Sequence, residues 1–397
     1  MKRSTERLLT THAGSLPRPD DLLELLWARE RGEAVDERTF TDRLGGAVAA
    51  SVRTQVEHGL DIVDDGEMGK ASFLTYANER LDGFEPSRGA AGGSPFAGSR
   101  EFRSFPEFYQ QQARRQDNPA ASAVHYVCTR PITYTGQARV RRDIDLLKAA
   151  MSQVDVEEAF LPAIAPADIE FWNKNEYYAT DEDYLMAIAG ALHEEYSAIV
   201  EAGLLLQIDD PRLVTYYATK PDASVKECRA WAEVRVEALN HALRDLPRDR
   251  IRFHTCYSIN MGPRVHDMEL KDIVDIILKV RAGAYSFEAG NPRHEHEWRV
   301  WEQVQLPQDA VLIPGVITHS TVLVEHPEAI AERIERFASV VGRDNVIAGA
   351  DCGFATFAGT EEIHPTVAWA KLDALVAGAE LATERLWGRA GQRKSAD

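Results

Sequence analysis

The sequence predicts an α/β fold, a single closed (β/α)8 barrel of the TIM type, and three observations predict it. Eight short apolar runs rich in β-forming residues end in Gly, Pro, Asp or Ser and alternate with helical patterns. Three helix-to-strand junctions share one form, Glu57-His-Gly-Leu, Glu201-Ala-Gly-Leu and Arg281-Ala-Gly-Ala, each placing Gly where a left-handed helix stop is expected. Every polar cluster falls at the C-terminal end of an apolar run, the face on which such barrels carry their active sites. An open doubly wound sheet is the alternative that the same alternation allows.

Taken in order, the eight predicted strands are residues 9–14, 60–65, 160–165, 204–208, 251–255, 285–288, 311–316 and 346–350. Between the first two, Leu44, Val48, Val52 and Val56 recur every four residues, the spacing of one buried helix face. Leu185, Ile188, Leu192, Tyr196 and Ile199 mark a second such stripe before the fourth strand. Two segments break the pattern. Residues 87–122 carry Gly, Arg and Phe (Phe96, Phe102, Phe105, Phe108), too long for an ordinary connection, and read as a lid or an oligomer contact. Residues 124–136 read as a β-hairpin, so the inserted excursion spans about 87–136. Residues 1–387 are expected to form one domain, and 388–397 a frayed, disordered tail.

Composition excludes several classes of function. With 397 residues, 44% hydrophobic and 27% charged, the chain can bury a large core. A formal charge of −18 argues against nucleic acid or an anionic membrane surface as partner. There is no apolar run long enough to span a bilayer, and Met1-Lys-Arg-Ser-Thr-Glu-Arg-Leu8 lacks the hydrophobic region of a signal peptide, so the cytoplasm is the expected compartment. Four scattered cysteines make no disulfide framework.

His254, Cys256, Glu288 and Cys352 each sit where a predicted strand gives way to a loop. Residues i and i+2 of a strand share a face, so His254 and Cys256 reach a common point. Imidazole, thiolate and carboxylate are the ligands zinc takes, and a catalytic zinc keeps a position for substrate. Four ligands drawn from three strands differ from the local Cys-rich knuckles of structural sites.

Seven motifs in order make the chain recognisable: Thr11-His-Ala-Gly-Ser-Leu-Pro-Arg-Pro19, Asp65-Gly-Glu67, Leu206-Gln-Ile-Asp-Asp-Pro211, His254-Thr-Cys-Tyr257, Phe287-Glu288, Gly315-Val-Ile-Thr-His-Ser320 and Asp351-Cys-Gly353. The chain resembles the catalytic, C-terminal half of the cobalamin-independent methionine synthase family, nearly end to end. The resemblance implies Zn2+ on His254, Cys256, Glu288 and Cys352, with the acceptor thiol bound as thiolate and Glu288 the ligand displaced. Two thiolates and one carboxylate would bring Zn2+ to a net charge of about −1, which leaves electron density on the acceptor sulfur. It further implies that His319 delivers a proton to the leaving amine of an N-methyl donor. Glu67 and Asp209 would clasp the amino group of homocysteine, Ser15 and nearby amides its carboxylate, and Trp172 would lie near a pterin.

Other residues have plainer readings. His294 and His296, in Asn291-Pro-Arg-His-Glu-His-Glu297, read as the start of a helix lining the pocket rather than a second metal site. Arg18, Lys70 and Arg293 are cations on the same face that an anionic group on a substrate could meet. Asp210 stands where the family usually has Glu. The second barrel of the full family enzyme has no counterpart here, and Met68-Gly-Lys-Ala-Ser-Phe-Leu-Thr-Tyr76 lacks the charged and amide residues usual after Glu67. The extra cysteine often found two residues after Cys256 is absent as well. Three readings follow: methyl transfer to a thiol such as homocysteine from a folate, corrinoid or other donor; opening of an epoxide by a thiolate, as in epoxyalkane:coenzyme M transferase; or a non-catalytic zinc-binding relative. A homo-oligomer is left open.

Overall fold

A computed structural model describes residues 1–73, 75–87, 98–114, 126–257, 262–359 and 363–388. Phe96, Ser258 and the tail expected beyond Gly388 lie outside the described residues. Eleven strands are described: β1 (Leu9–Thr10), β2 (Ile62–Val63), β3 (Leu81–Pro86), β4 (Tyr126–Tyr134), β5 (Glu158–Ile164), β6 (Lys174–Asn175), β7 (Leu205–Asp209), β8 (Ile251–Thr255), β9 (Ala284–Phe287), β10 (Val311–Ile317) and β11 (Ile347–Ala350). All eight predicted runs become strands of one parallel sheet, ordered β1-β11-β10-β9-β8-β7-β5-β2. Chain order is kept around the ring, as right-handed β-α-β winding requires.

The ring closes at the β1–β2 seam by hydrogen bonds outside any ladder. The Asp61 amide donates to the Thr10 carbonyl at 3.2 Å, and the Thr11 hydroxyl to the Ile62 carbonyl at 3.0 Å. The Asp61 carboxylate accepts from the Thr10 amide and hydroxyl at 2.8 and 2.9 Å and from Arg7 at 2.8 Å.

Inside the ring, Leu9, Ile62, Phe160, Leu205, Ala284, Val311, Ile313 and Ile347 form a separate apolar cluster, a filled barrel interior rather than a pore. Arg252 of β8 is buried against it. Its guanidinium lies 3.8 Å from the centre of the Phe160 ring and donates to Thr11 Oγ1 and the His12 carbonyl. The larger core lies between strands and helices. Helix Glu37–Glu57 buries Leu44, Val48 and Val52, and helix Asp181–Glu201 buries Leu185, Ile188, Leu192, Tyr196 and Ile199, as their spacing predicts. Caps fix both starts, with Asp36 accepting from the Thr39 amide and Thr180 from the Asp183 amide.

Two local expectations need correction. Gly59 and Gly203 adopt the left-handed conformation (φ 81° and 87°), but the third junction glycine, Gly283, does not. It is needed for close approach, because a Cβ there would lie 2.8 Å from the Arg248 carbonyl oxygen. Residues 124–136 are not a hairpin in themselves. β4 runs through them as one strand, antiparallel to β3 and parallel to β6, in a small sheet outside the barrel. Arg130-Pro131 looks like a turn in sequence, yet Pro131 sits where the β3–β4 register slips between Asp82 and Phe84, a place where no ladder amide is needed.

The described part of the insertion docks on the barrel. Arg100 at the start of helix Arg100–Ser104 donates to the Tyr217 carbonyl, and buried Glu101 accepts from the amides of Val265 and His266, both at 2.7 Å. The insertion thereby grips residues 262–267, the loop after β8. Among the described residues, no helix is long and apolar enough to cross a membrane.

Candidate metal centre

The C-terminal ends of four consecutive strands, β8 to β11, supply His254 and Cys256, Glu288, His319 and Cys352 in that order. Parallel pairing aligns these strand ends, which is why residues far apart in sequence meet here. All five are almost fully buried.

Cys256 Sγ and Cys352 Sγ lie 3.3 Å apart, and both cysteines are free thiols. His254, Cys256 and Cys352 bring one ligand atom each within 4.8 Å of one another, the group among the described residues able to hold an ion. His254 Nδ1 lies 3.0 Å from Ser286 Oγ, its in-register neighbour on β9, which fixes the ring. Its Nε2 is buried with no hydrogen-bond partner, an unusual cost in a native interior. Burial, helped by the charges of Arg252 and His319, pushes its pKa down to about 3, so the imidazole is neutral and offers a lone pair. The hydrogen bond to Cys256 and burial raise the Cys352 thiol well above its usual range. Two thiols and a neutral imidazole whose outer nitrogen is already fixed suit zinc, and these residues fit that ion.

Glu288 lies beside this group without joining it. Its Oε1 accepts from the Tyr257 amide at 2.6 Å. Its Oε2 accepts from Arg264 at 3.1 Å and from Asn291 Nδ2 at 2.8 Å. Asp351 steadies the same loop by accepting from the amides of Ala289 and Gly290 at 2.8 and 2.7 Å. His319 is near enough to this wall for its charge to bear on both His254 and Asp351.

His294 is part of an ion network. Its Nδ1 lies 2.8 Å from Glu297, its Nε2 3.3 Å from Asp267, and its ring stacks on Tyr257 at 3.9 Å. Burial opposes its charge, but the hydrogen bonds to Asp267 and Glu297 prevail and raise its pKa to about 9. His294 is thus committed to Asp267 and Glu297, and a 3-10 turn, Glu297–Glu302, follows His296, in keeping with the helix-start reading.

The opposite wall comes from β1, β2 and β7. Ser15 packs on the loop after Cys352, where the Phe354 amide donates to the Ser15 carbonyl at 2.9 Å. A Cβ at Gly353 would lie 2.0 Å from Ser15 Oγ and 3.2 Å from the Ser15 amide nitrogen, so the two loops are in close contact there. Glu67 is one of few non-glycine residues in the left-handed region (φ 55°). Its amide donates to Asp65, and its carbonyl accepts from buried Arg18 at 2.9 Å. Gln207 links the Ala13 carbonyl to Asp209 at 2.6 and 2.8 Å, and Glu67 Oε1 lies beside Gly14, so both carboxylates flank one turn. The protein around Asp209 and the charge of Glu67 raise its pKa well above the ordinary range, although Asp209 keeps some exposure. Lys70 Nζ lies 4.0 Å from Glu67 Oε1 and donates to the Pro162 carbonyl at 2.6 Å.

The remaining candidates lie further out. Trp172 ends helix Pro166–Trp172 half-buried, packed edge-on against Phe171 at 5.7 Å, with its indole bonded to Asp168 and Arg212 alongside. Arg293 turns outward to the Val265 carbonyl. Sequence reasoning missed Ser286, Asn291 and Arg264. Ser286 had a signal, since it lies two residues before Glu288 on the same face of β9; Arg264 had none.

Comparison with known proteins follows this geometry. Residues 122–374 match the family model described as the catalytic domain of cobalamin-independent synthase. The methionine synthase of Thermococcus kodakarensis is 24% identical over 380 residues, covering 96% of this chain and 94% of that protein. That of Saccharolobus solfataricus is 25% identical over 384 residues, covering 96% of each. Among solved structures, a B12-independent methionine synthase from Shewanella sp. W3-18-1, in complex with selenomethionine, superposes with a TM-score of 0.71 at 20% identity, covering 96% of this chain and 99% of that one. A putative vitamin-B12 independent methionine synthase from Listeria monocytogenes gives 0.64 at 20% identity, with 94% and 98% covered. Both superpositions bear on the fold.

Proposed function

Because the chain belongs to the family of cobalamin-independent synthase catalytic domains, we propose that it transfers a methyl group to a small thiol, homocysteine first, at a zinc site. The observation that carries this reading is the pair of buried thiols 3.3 Å apart beside the unpartnered Nε2 of His254. His254, Cys256 and Cys352 would hold the ion, with Glu288 as the ligand able to leave. Bound zinc would supply the charge that keeps a substrate thiol deprotonated near neutral pH.

The other roles belong to the chain's own side chains. His319, buried on the same wall, would hold the proton that an amine leaving group needs. Glu67 and Asp209 flank one turn with two carboxylates, a match for the ammonium of an amino-acid thiol. Ser15 would meet that substrate's carboxylate, and Trp172 would border the donor. Burial of the whole wall excludes water from the attacking sulfur. The relatives named methionine synthase, similar over almost their full length, support homocysteine as the acceptor.

One observation favours a second reading. Lys70 already places an ammonium 4.0 Å from Glu67, which suits a thiol with an acidic tail, alkylated by an epoxide. One experiment separates the two. Homocysteine, coenzyme M and cysteine are each paired with methyltetrahydrofolates, methylcobalamin and epoxides, and products are weighed by mass spectrometry alongside a zinc assay. S-methylation of homocysteine by zinc-loaded protein is the expected result. Hydroxyalkylation of coenzyme M alone selects the second reading, and product formed without bound metal overturns both.

A further inference from the structure

We propose that Arg264 is a positioning residue that gives the Glu288 carboxylate a second seat, off the metal, so the centre can pass between four and three protein ligands. The proposal rests on the zinc reading above and adds a residue outside the quoted motifs. Glu288 in this seat is fully satisfied, with the Tyr257 amide on Oε1 and Arg264 and Asn291 on Oε2. His254, Cys256 and Cys352 converge meanwhile without it.

The seat is rigid where it must be. The Arg264 side chain is only 10% exposed, and a second carboxylate, Asp267, holds it at 3.1 Å. Asp267 is held in turn by His294. Glu101 of the insertion grips the two residues after Arg264 through their amides. The guanidinium is thus pinned from several sides, and Glu288 would be the partner that moves. A buried carboxylate leaving a cation would be strongly disfavoured if it became unpaired. Moving from a metal to a guanidinium, it never does. Arg264 therefore competes with the ion for Glu288 and favours the three-ligand state that a substrate thiol requires.

The test is a zinc titration of the intact protein against a chromophoric chelator, with Co2+ absorption as a second view of ligand number. Arg264→Met should bind zinc about ten-fold more tightly than the parent, because Glu288 then loses its charged partner off the metal and keeps there only the Tyr257 amide and Asn291. Its Co2+ spectrum should shift, and its KM for homocysteine should rise more than its kcat falls. The double variant Arg264→Met/Glu288→Gln should match Glu288→Gln alone, as it must if Arg264 acts through Glu288. Unchanged or weaker zinc binding in Arg264→Met, or a double variant unlike Glu288→Gln, would overturn the proposal. Arg264→Lys keeps the charge against Asp267 but not the two-pronged reach. If the Met variant does not fold, the Lys variant should show the same tightening to a smaller degree, and no tightening refutes the proposal. A parent protein that takes up no zinc, or takes it up without Cys256, overturns the metal reading itself and this proposal with it.

Discussion

The two walls of the barrel mouth are built on opposite plans. On the β8–β11 wall the candidate ligands face one another with one buried donor atom left over: His254 Nε2 is unpartnered, and the Cys352 thiol donates to the Cys256 sulfur. On the β1–β2–β7 wall Glu67 meets Lys70, the Glu67 carbonyl meets Arg18 and Asp209 accepts from Gln207, while Arg18 Nε, Asp64 Oδ2 and Gln207 Oε1 stay buried without hydrogen-bond partners. A wall with unmet valence is ready for an ion. A wall that already pairs part of its charge would recognise a ligand by exchanging partners, so under the proposed function selectivity rests on that side and the chemistry on the other.

The comparison breaks most decisively at the thiols. Cys256→Ser or Cys352→Ser should abolish stoichiometric zinc by elemental analysis and lower thiol alkylation by more than about 10³-fold, since hydroxyl is a poor zinc ligand. Zinc retained by either variant would refute the division of labour. His319→Asn should keep zinc yet slow transfer from an amine donor by ~10²-fold or more in single-turnover assays, with little change for an epoxide. Equal slowing for both donors would remove His319 from proton delivery. Glu67→Gln should spare zinc and raise KM for homocysteine about ten-fold, because one charge-assisted contact is lost. A KM that rises equally for coenzyme M would mean that the acidic pair does not read the amino group.

The smallest effect concerns stability. His294 has a pKa raised from 6.5 to about 9, so its contribution is fully present below pH 6.5 and lost as pH rises through 9. A shift of that size is worth on the order of 3 kcal/mol. Denaturant unfolding of the parent should therefore weaken between pH 6.5 and 9.5 more than that of His294→Gln. Parallel pH profiles would show that the imidazolium is not held as the geometry implies.

The barrel was legible because its signals are local. Each of the eight strands is a short β-rich run cut off by a turn former, and the helices announce themselves by three- and four-residue spacing. The small β3-β4-β6 sheet was not, since β3 pairs with a strand forty residues away and Pro131 resembles a turn. Within the site, residue type together with position at predicted strand ends picked out His254, Cys256, Glu288 and Cys352, of which the structure brings His254, Cys256 and Cys352 into one group. Glu288 beside Arg264, and Glu67 beside Lys70, depend on loop geometry that no periodicity encodes. Gly283 likewise looked like a left-handed stop, while its reason, a neighbouring carbonyl, comes from another part of the chain.

The β1–β2 seam has a dynamic consequence. Seven of the eight strand contacts are ladders, whereas this one hangs on Thr10, Thr11 and Asp61 between two-residue strands. Transient opening of the ring costs least there, and amide exchange should be fastest at that stave. Ser15 and Glu67 follow directly from those two strands, so the half of the mouth that greets an incoming molecule can breathe. By contrast β8, β9 and β10 are joined by four-residue ladders, while β10 and β11 share two pairs with a register shift. The mouth is thus tied more loosely beside Ser15 and Glu67 than beside His254 and Glu288.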